Sequence, residues 1–77
     1  MSDLPALPVL RPGRYRHFKG GEYDVISVAR CSETLAPVVV YRALYGEAGL
    51  WVRPLAMFVE EVEVDGARRP RFEFVAG

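Results

Sequence analysis

The sequence predicts an all-β domain in which about five short strands, with one helical or 3₁₀ turn among them, curl into a small barrel. Three observations lead there. Apolar residues alternate with a period of two through most of the chain. The alternating runs are separated by compact turn signals, "KGG", "GEAG" and "DG". In 77 residues no helical stretch is long enough to cover a flat sheet, so the sheet has to cover itself.

Residues 1–12 read as a proline-rich N-terminal arm and residues 13–77 as the folded domain. Pro5, Pro8 and Pro12 fix φ and remove amide donors, so the arm forms neither a helix nor a central strand. Leu4, Leu7, Val9 and Leu10 are the residues with which it can lie on the domain. "RYRHF" alternates and stops at "KGG". "EYDVISVARC" follows, rich in β-branched residues, and "CSETLA" is a polar loop that ends at Pro37. "VVVYRALY" is the strongest strand, with Val39, Tyr41, Ala43 and Tyr45 facing one way and Val38, Val40, Arg42 and Leu44 the other. "GEAG" is a hairpin connection, and "LWVRP" is a strand that Pro54 ends or confines to an edge, where it can pair with a second copy.

In "LAMFVEEV" alone the spacing is helical. Leu55, Phe58 and Val59 stand at i, i+3 and i+4 behind Pro54, enough for a single turn. "VEVDGARRP" reads as a strand end and turn. "RFEFV" closes the chain, with Phe72 and Phe74 on one side and Arg71, Glu73 and Val75 on the other. In length and strand count an SH3-like barrel fits best. An OB-type barrel is the alternative, but it ordinarily uses more residues and a longer helix.

These blocks also carry a resemblance. "GRYRHFKGGEYDVISVA", "VVYRALYG", "LWVRPLAMF" and the final "RF" together resemble a small bacterial family catalogued as a domain of unknown function. They span residues 13 to 72 and leave the proline-rich arm outside. The resemblance implies an SH3-like barrel and no activity, since no reaction or ligand is assigned to the family.

Composition narrows the function classes. The chain is 51% hydrophobic and 26% charged, the balance of a folded protein rather than a disordered one. Ten basic and ten acidic residues cancel, so no global field draws it to nucleic acid or membrane. Charge is nevertheless unevenly spread. "RPGRYRHFK" is basic, "EEVEVD" is acidic and "RRPR" is basic again. Nine of the ten cations are arginine, which suits forked hydrogen bonds to carboxylate or phosphate. Cys31 stands alone, which excludes a disulfide framework and fits a reducing cytoplasm. The start, acidic and broken by proline, is neither a signal peptide nor a membrane span.

No catalytic or metal-binding set stands out. His17 is the only histidine, with no serine or cysteine beside it in sequence, and its expected place is a strand position with its ring hydrogen bonded. A small enzyme working through His17 is the third and weakest reading. One His, one Cys and scattered carboxylates give no recognised ligand spacing, and "KGGE" lacks the spacing and following helix of a phosphate loop. No cofactor and no metal are expected.

Recognition remains. Tyr15, Tyr23, Tyr41, Tyr45 and Trp51 form an aromatic set flanked by Arg16, His17, Lys19, Arg42 and Arg53. Such a set binds extended chains in two ways: proline-rich peptides in aromatic grooves, or single-stranded nucleic acid by base stacking. The structural alternative is that Arg42 and Arg53 lock loops through backbone carbonyls and acids. The demand of a small core limits both binding readings, since Trp51 and at least two tyrosines are expected inside, with the valines, Leu44, Phe58, Phe72 and Phe74. The expectation is a monomer or weak homodimer that binds a protein or peptide. A weak nucleic-acid binder using "RYRHFK" and "RRPR" is second.

Overall fold

A computed structural model describes residues 6–77. It contains seven strands and one short helix in the order β1 (Gly13–His17), β2 (Glu22–Arg30), β3 (Pro37–Ala43), β4 (Leu50–Pro54), α1 (Leu55–Phe58), β5 (Glu61–Val64), β6 (Ala67–Pro70) and β7 (Phe72–Ala76). Five strands form an antiparallel sheet in the order β4-β3-β2-β1-β7, and β5 and β6 form a separate hairpin. The all-β expectation holds, with a single helical turn in the predicted place. The hydrogen-bonded ladder does not close into a ring, because β4 and β7 are its two outer strands.

Two turns follow directly from their residues. Gly20, at φ 109°, occupies the turn between β1 and β2. Asp65 and Gly66, at φ 52° and 81°, make the two-residue loop of the β5–β6 hairpin, the geometry that "DG" favours. The sequence expectation at this point is a strand end and turn. The segment forms a full hairpin because Arg68 and Arg69 pair opposite Glu63 and Val62, and Arg68 Nε donates to Glu61 Oε1 at 3.0 Å.

The core lies on one face of the large sheet. Tyr15, Val25, Val39, Tyr41, Phe58 and Phe72 form the buried cluster, and Leu10, Tyr23, Leu55 and Phe74 pack against it. A bulge at Ile26 keeps β2 in register with this face, since Val25 pairs with Tyr41, Ser27 with Val40 and Val28 with Val39. Without the extra residue, Val28 would turn to the opposite side. α1 covers the centre: the Phe58 ring stacks on Phe72 at 4.0 Å and meets the edge of Tyr15 at 5.5 Å.

Several expectations about the core are corrected. Leu44 and Val52 are 43% and 62% exposed, because both follow the outward parity of their strands. Val75 is exposed on the outer strand β7. Trp51, expected inside, is 61% exposed. It faces the core side, but β4 is the last strand there and nothing in the sheet lies beyond it.

The start of the domain is pinned. Tyr15 donates from its hydroxyl to the Arg11 carbonyl at 2.7 Å, and the Arg11 guanidinium lies 4.0 Å from the centre of the Phe74 ring. Residues 6–12 form no strand or helix, and Leu10 reaches the core. The parts of the arm reading that concern Leu4 and Pro5 lie outside the described residues. No helix among the described residues is long and apolar enough to cross a membrane.

Phe58→Ala removes the cover of the core, and the expected loss is about 3–5 kcal/mol. A domain of this size has roughly that much stability in total, so the variant should be unfolded by circular dichroism at room temperature. Val75→Ala should stay within about 0.5 kcal/mol of the parent in urea unfolding.

Candidate functional site

The parity of β4 sets the site. Trp51 pairs with Tyr41 and Arg53 with Val39, so both side chains emerge on the core side of the sheet at its open edge. After β3 the chain turns through residues 44–49. Ala43 N donates to the Gly49 carbonyl at 3.2 Å and Ala48 N to the Tyr45 carbonyl at 3.1 Å. Arg42, on the opposite face, donates from Nη1 to the Ala48 carbonyl at 3.1 Å. The loop is thereby held from two sides. Between it and the indole lies a concavity of about 320 Å³ whose aromatic walls are Tyr45 and Trp51.

Tyr45 is 57% exposed, yet its hydroxyl is fixed 2.8 Å from that of Tyr23. Gly21 permits this approach, because a Cβ there would stand 3.2 Å from the Tyr23 hydroxyl and 3.4 Å from the Tyr45 ring. Tyr23 also meets Tyr41 and Phe72 edge-on at 5.3 and 5.5 Å. Burial, followed by the hydrogen bond to Tyr45, pushes the Tyr23 phenol up to about 12.

Arg53 stands beside these phenols. Its Nε points to the Tyr41 hydroxyl at 3.4 Å and its Nη1 to Met57 Sδ at 3.6 Å. Its guanidinium carbon lies 5.4 Å from the centre of the Phe72 ring. No carboxylate pairs with it among the described residues. His17 lies next in the group, with its ring edge-on to Phe72 at 4.8 Å. Its Nδ1 accepts the Lys19 amide at 3.1 Å, which leaves Nε2 to carry the proton of the neutral ring. Burial first, then the charges of Arg53, Arg71 and Lys19, hold the imidazole below its ordinary value.

The sequence-predicted residues therefore divide. His17, Tyr45, Trp51 and Arg53 gather at this end of the core face, Lys19 acts on the His17 ring from the turn after β1, and Tyr41 contributes its hydroxyl from a buried ring. Tyr15 is a core residue whose hydroxyl is taken by Arg11. Arg16 lies on the opposite face, with Nη2 2.9 Å from Glu22 Oε2. Arg42 holds a loop through a carbonyl, as the structural alternative expects. Arg53 does not, since its partners are a phenol and a thioether. Met57 and Phe72 are contacts that sequence reasoning missed, because both are brought to Arg53 by α1 and β7 rather than by alternation along β4. Arg14, Arg16, Arg68 and Arg71 of the basic runs meet acids, Arg71 Nε with Glu60 Oε1 at 3.0 Å among them. Among the described residues, no group of three or more His, Cys, Asp or Glu is placed to hold a metal ion.

The comparisons with known proteins bear on this fold. The family model described as "Protein of unknown function (DUF1653)" matches residues 13–74. The chain belongs to the DUF1653 family. A crystal structure of a DUF1653 protein from Bordetella bronchiseptica is similar at a TM-score of 0.81 and 42% identity, covering 91% of this chain and 92% of that one. No curated protein matches the chain. The DUF1653 match includes Tyr23, Tyr45, Trp51 and Arg53 and starts at Gly13. At that glycine φ is 135° and a Cβ would stand 2.5 Å from the Ala76 carbonyl oxygen, so the first residue matched has no room for a side chain.

Two pH dependences follow. The unfolded chain releases a phenolic proton near pH 10, whereas folded Tyr23 holds its proton to about 12. Its stabilising contribution is complete below pH 10 and is lost as pH rises through that window. Burial also raises the Tyr15 phenol, so a tyrosinate absorbance titration should show late phenols, of which the one near 12 disappears in Tyr23→Phe. For His17 the folded ring resists the proton that the unfolded chain accepts near pH 6.5. Stability should therefore fall as pH drops below that value, and a His17→Gln variant should flatten the change in urea midpoint.

Proposed function

We propose that this domain is a small interaction module that docks an extended protein or peptide segment against Tyr45, Trp51 and Arg53. The observation that carries this reading is the exposure of Trp51 and Tyr45, 61% and 57%, in a chain too small to leave large rings unused. Burying a large apolar side chain is worth roughly 1.5–3 kcal/mol, and here an indole and a phenol stand open beside a concavity with their backbones pinned. Rigid, exposed aromatics of this kind dominate the energetics of protein recognition.

A single-stranded nucleic acid is the second reading, and it has less support. It needs a continuous basic track. Arg14 and Arg16 share Glu22, Arg68 meets Glu61 and Arg71 meets Glu60, so acids interrupt both basic runs and leave no continuous track. An enzyme working through His17 has less still, because the charges acting on the ring are all cationic and Cys31 lies beyond the opposite end of β2. The lone thiol of Cys31 and the Bordetella relative favour the cytoplasm of a bacterium as its place. A four-strand meander, β1 to β4, to whose first strand the final strand β7 returns and pairs, favours the SH3-like description of the fold.

Selection of a displayed random-peptide library on the immobilised domain tests the reading. Enriched peptides should lose at least tenfold in affinity to Trp51→Ala and to Tyr45→Ala, with thermal midpoints close to the parent because both rings are exposed. Tyr41→Ala is unsuitable, since that ring is in the core. Failure to enrich any peptide, or equal binding by Trp51→Ala, would remove the proposal. Steeply salt-dependent binding of short single strands, with no peptide binding, would favour the second reading.

A further inference from the structure

From the setting of Arg53 we infer that this face recognises a carboxylate, so that the docked segment is acidic where it crosses Arg53; the inference rests on the docking reading above. The guanidinium has five N–H donors. Two point at weak acceptors, the Tyr41 hydroxyl at 3.4 Å and the Met57 thioether at 3.6 Å. Nη2 has no hydrogen-bond partner among the described residues. The face of the group lies towards Phe72 and its position is set by Met57, so the fork is oriented before any ligand arrives. A half-buried cation with no counter-charge is unfavourable, and a carboxylate supplies the missing charge with two parallel hydrogen bonds.

The surroundings agree in sign. Arg53, Arg71 and Lys19 all act on His17, and only Arg71 of these is paired with an acid among the described residues. Among the residues lining the concavity the acid is Glu47, which stands on the loop side. This gives the site a direction, with an anionic group at Arg53 and none at the loop. A carboxylate is chosen over a phosphate because one planar guanidinium matches a single charge, whereas phosphate recognition ordinarily recruits a cluster of arginines.

The test uses the intact protein, with sodium acetate exchanged against chloride at constant ionic strength, read by NMR. Acetate should move the Arg53 Nε–H resonance along a saturating curve and raise the pKa of His17, since the bound anion offsets the cations that depress it. Arg53→Met should abolish the His17 response. A second arm compares the capped peptides Ac-Pro-Pro-Glu-amide and Ac-Pro-Pro-Gln-amide. The Glu peptide should bind about tenfold more tightly, equivalent to about 1.4 kcal/mol, and Arg53→Met should bring the two to equal affinity. Arg53→Lys should keep only part of the preference, because the fork is lost and the charge retained. Equal binding of the two peptides by the parent protein would overturn the carboxylate assignment while leaving the docking face in place. Loss of both peptides in Trp51→Ala, with the acetate response at Arg53 intact, separates the two readings and supports both. An Arg53 resonance that responds to chloride as it does to acetate, or more strongly to phosphate, would overturn the inference.

Discussion

The stack of Phe58 on Phe72 is the contact on which the rest of this molecule depends. A five-stranded sheet of short strands has one face to bury and needs a second layer to bury it. Here that layer is reduced to a four-residue helix carrying one fully buried ring. Phe58 touches Tyr15 from β1, Tyr41 from β3 and Phe72 from β7, so one side chain bridges strands far apart in sequence. Pro54 and the turn closed by Val59 N and the Leu55 carbonyl at 3.0 Å exist to aim it.

The same economy explains where the exposed aromatics are. A single ring can cover only the middle of the sheet. The rings that Phe58 touches, Tyr15, Tyr41 and Phe72, are sealed, while those towards the β4 edge, Tyr45 and Trp51, are not. Arg53 sits at the boundary between the two regions. It is near enough to the core to lie against Phe72, while its backbone belongs to the outer strand β4. The boundary between the sealed and the exposed rings thus follows the reach of Phe58, and β4 lies outside it.

Much of this was legible in the sequence. Alternation in "VVVYRALY" and "RFEFV" gave the correct faces of β3 and β7, and the glycines and "DG" gave the turns. Two things were not legible. The bulge at Ile26 restores the parity of β2 after the adjacent apolar pair Val25 and Ile26, and a strict period-two reading has no place for it. The exposure of Trp51 was missed because alternation says which side a residue faces and nothing about whether another strand lies beyond it. For the candidate site, composition named the aromatics and arginines but not their grouping. Arg16 and Arg53 look alike in sequence; one meets a carboxylate across a turn, and the other meets only a phenol and a sulfur.

The pairing of β7 with β1 also bears on how the molecule comes to exist in a cell. Tyr15 lies opposite Phe74 and His17 opposite Phe72, so the first strand of the domain, already paired with β2, finds its second neighbour only in the last. During synthesis the growing polypeptide can assemble the β1–β4 meander, but the platform under Phe58 is missing until β7 has left the ribosome. A nascent chain stalled before that point exposes its apolar face, and premature termination in the final strand yields a product for proteases rather than a smaller working module.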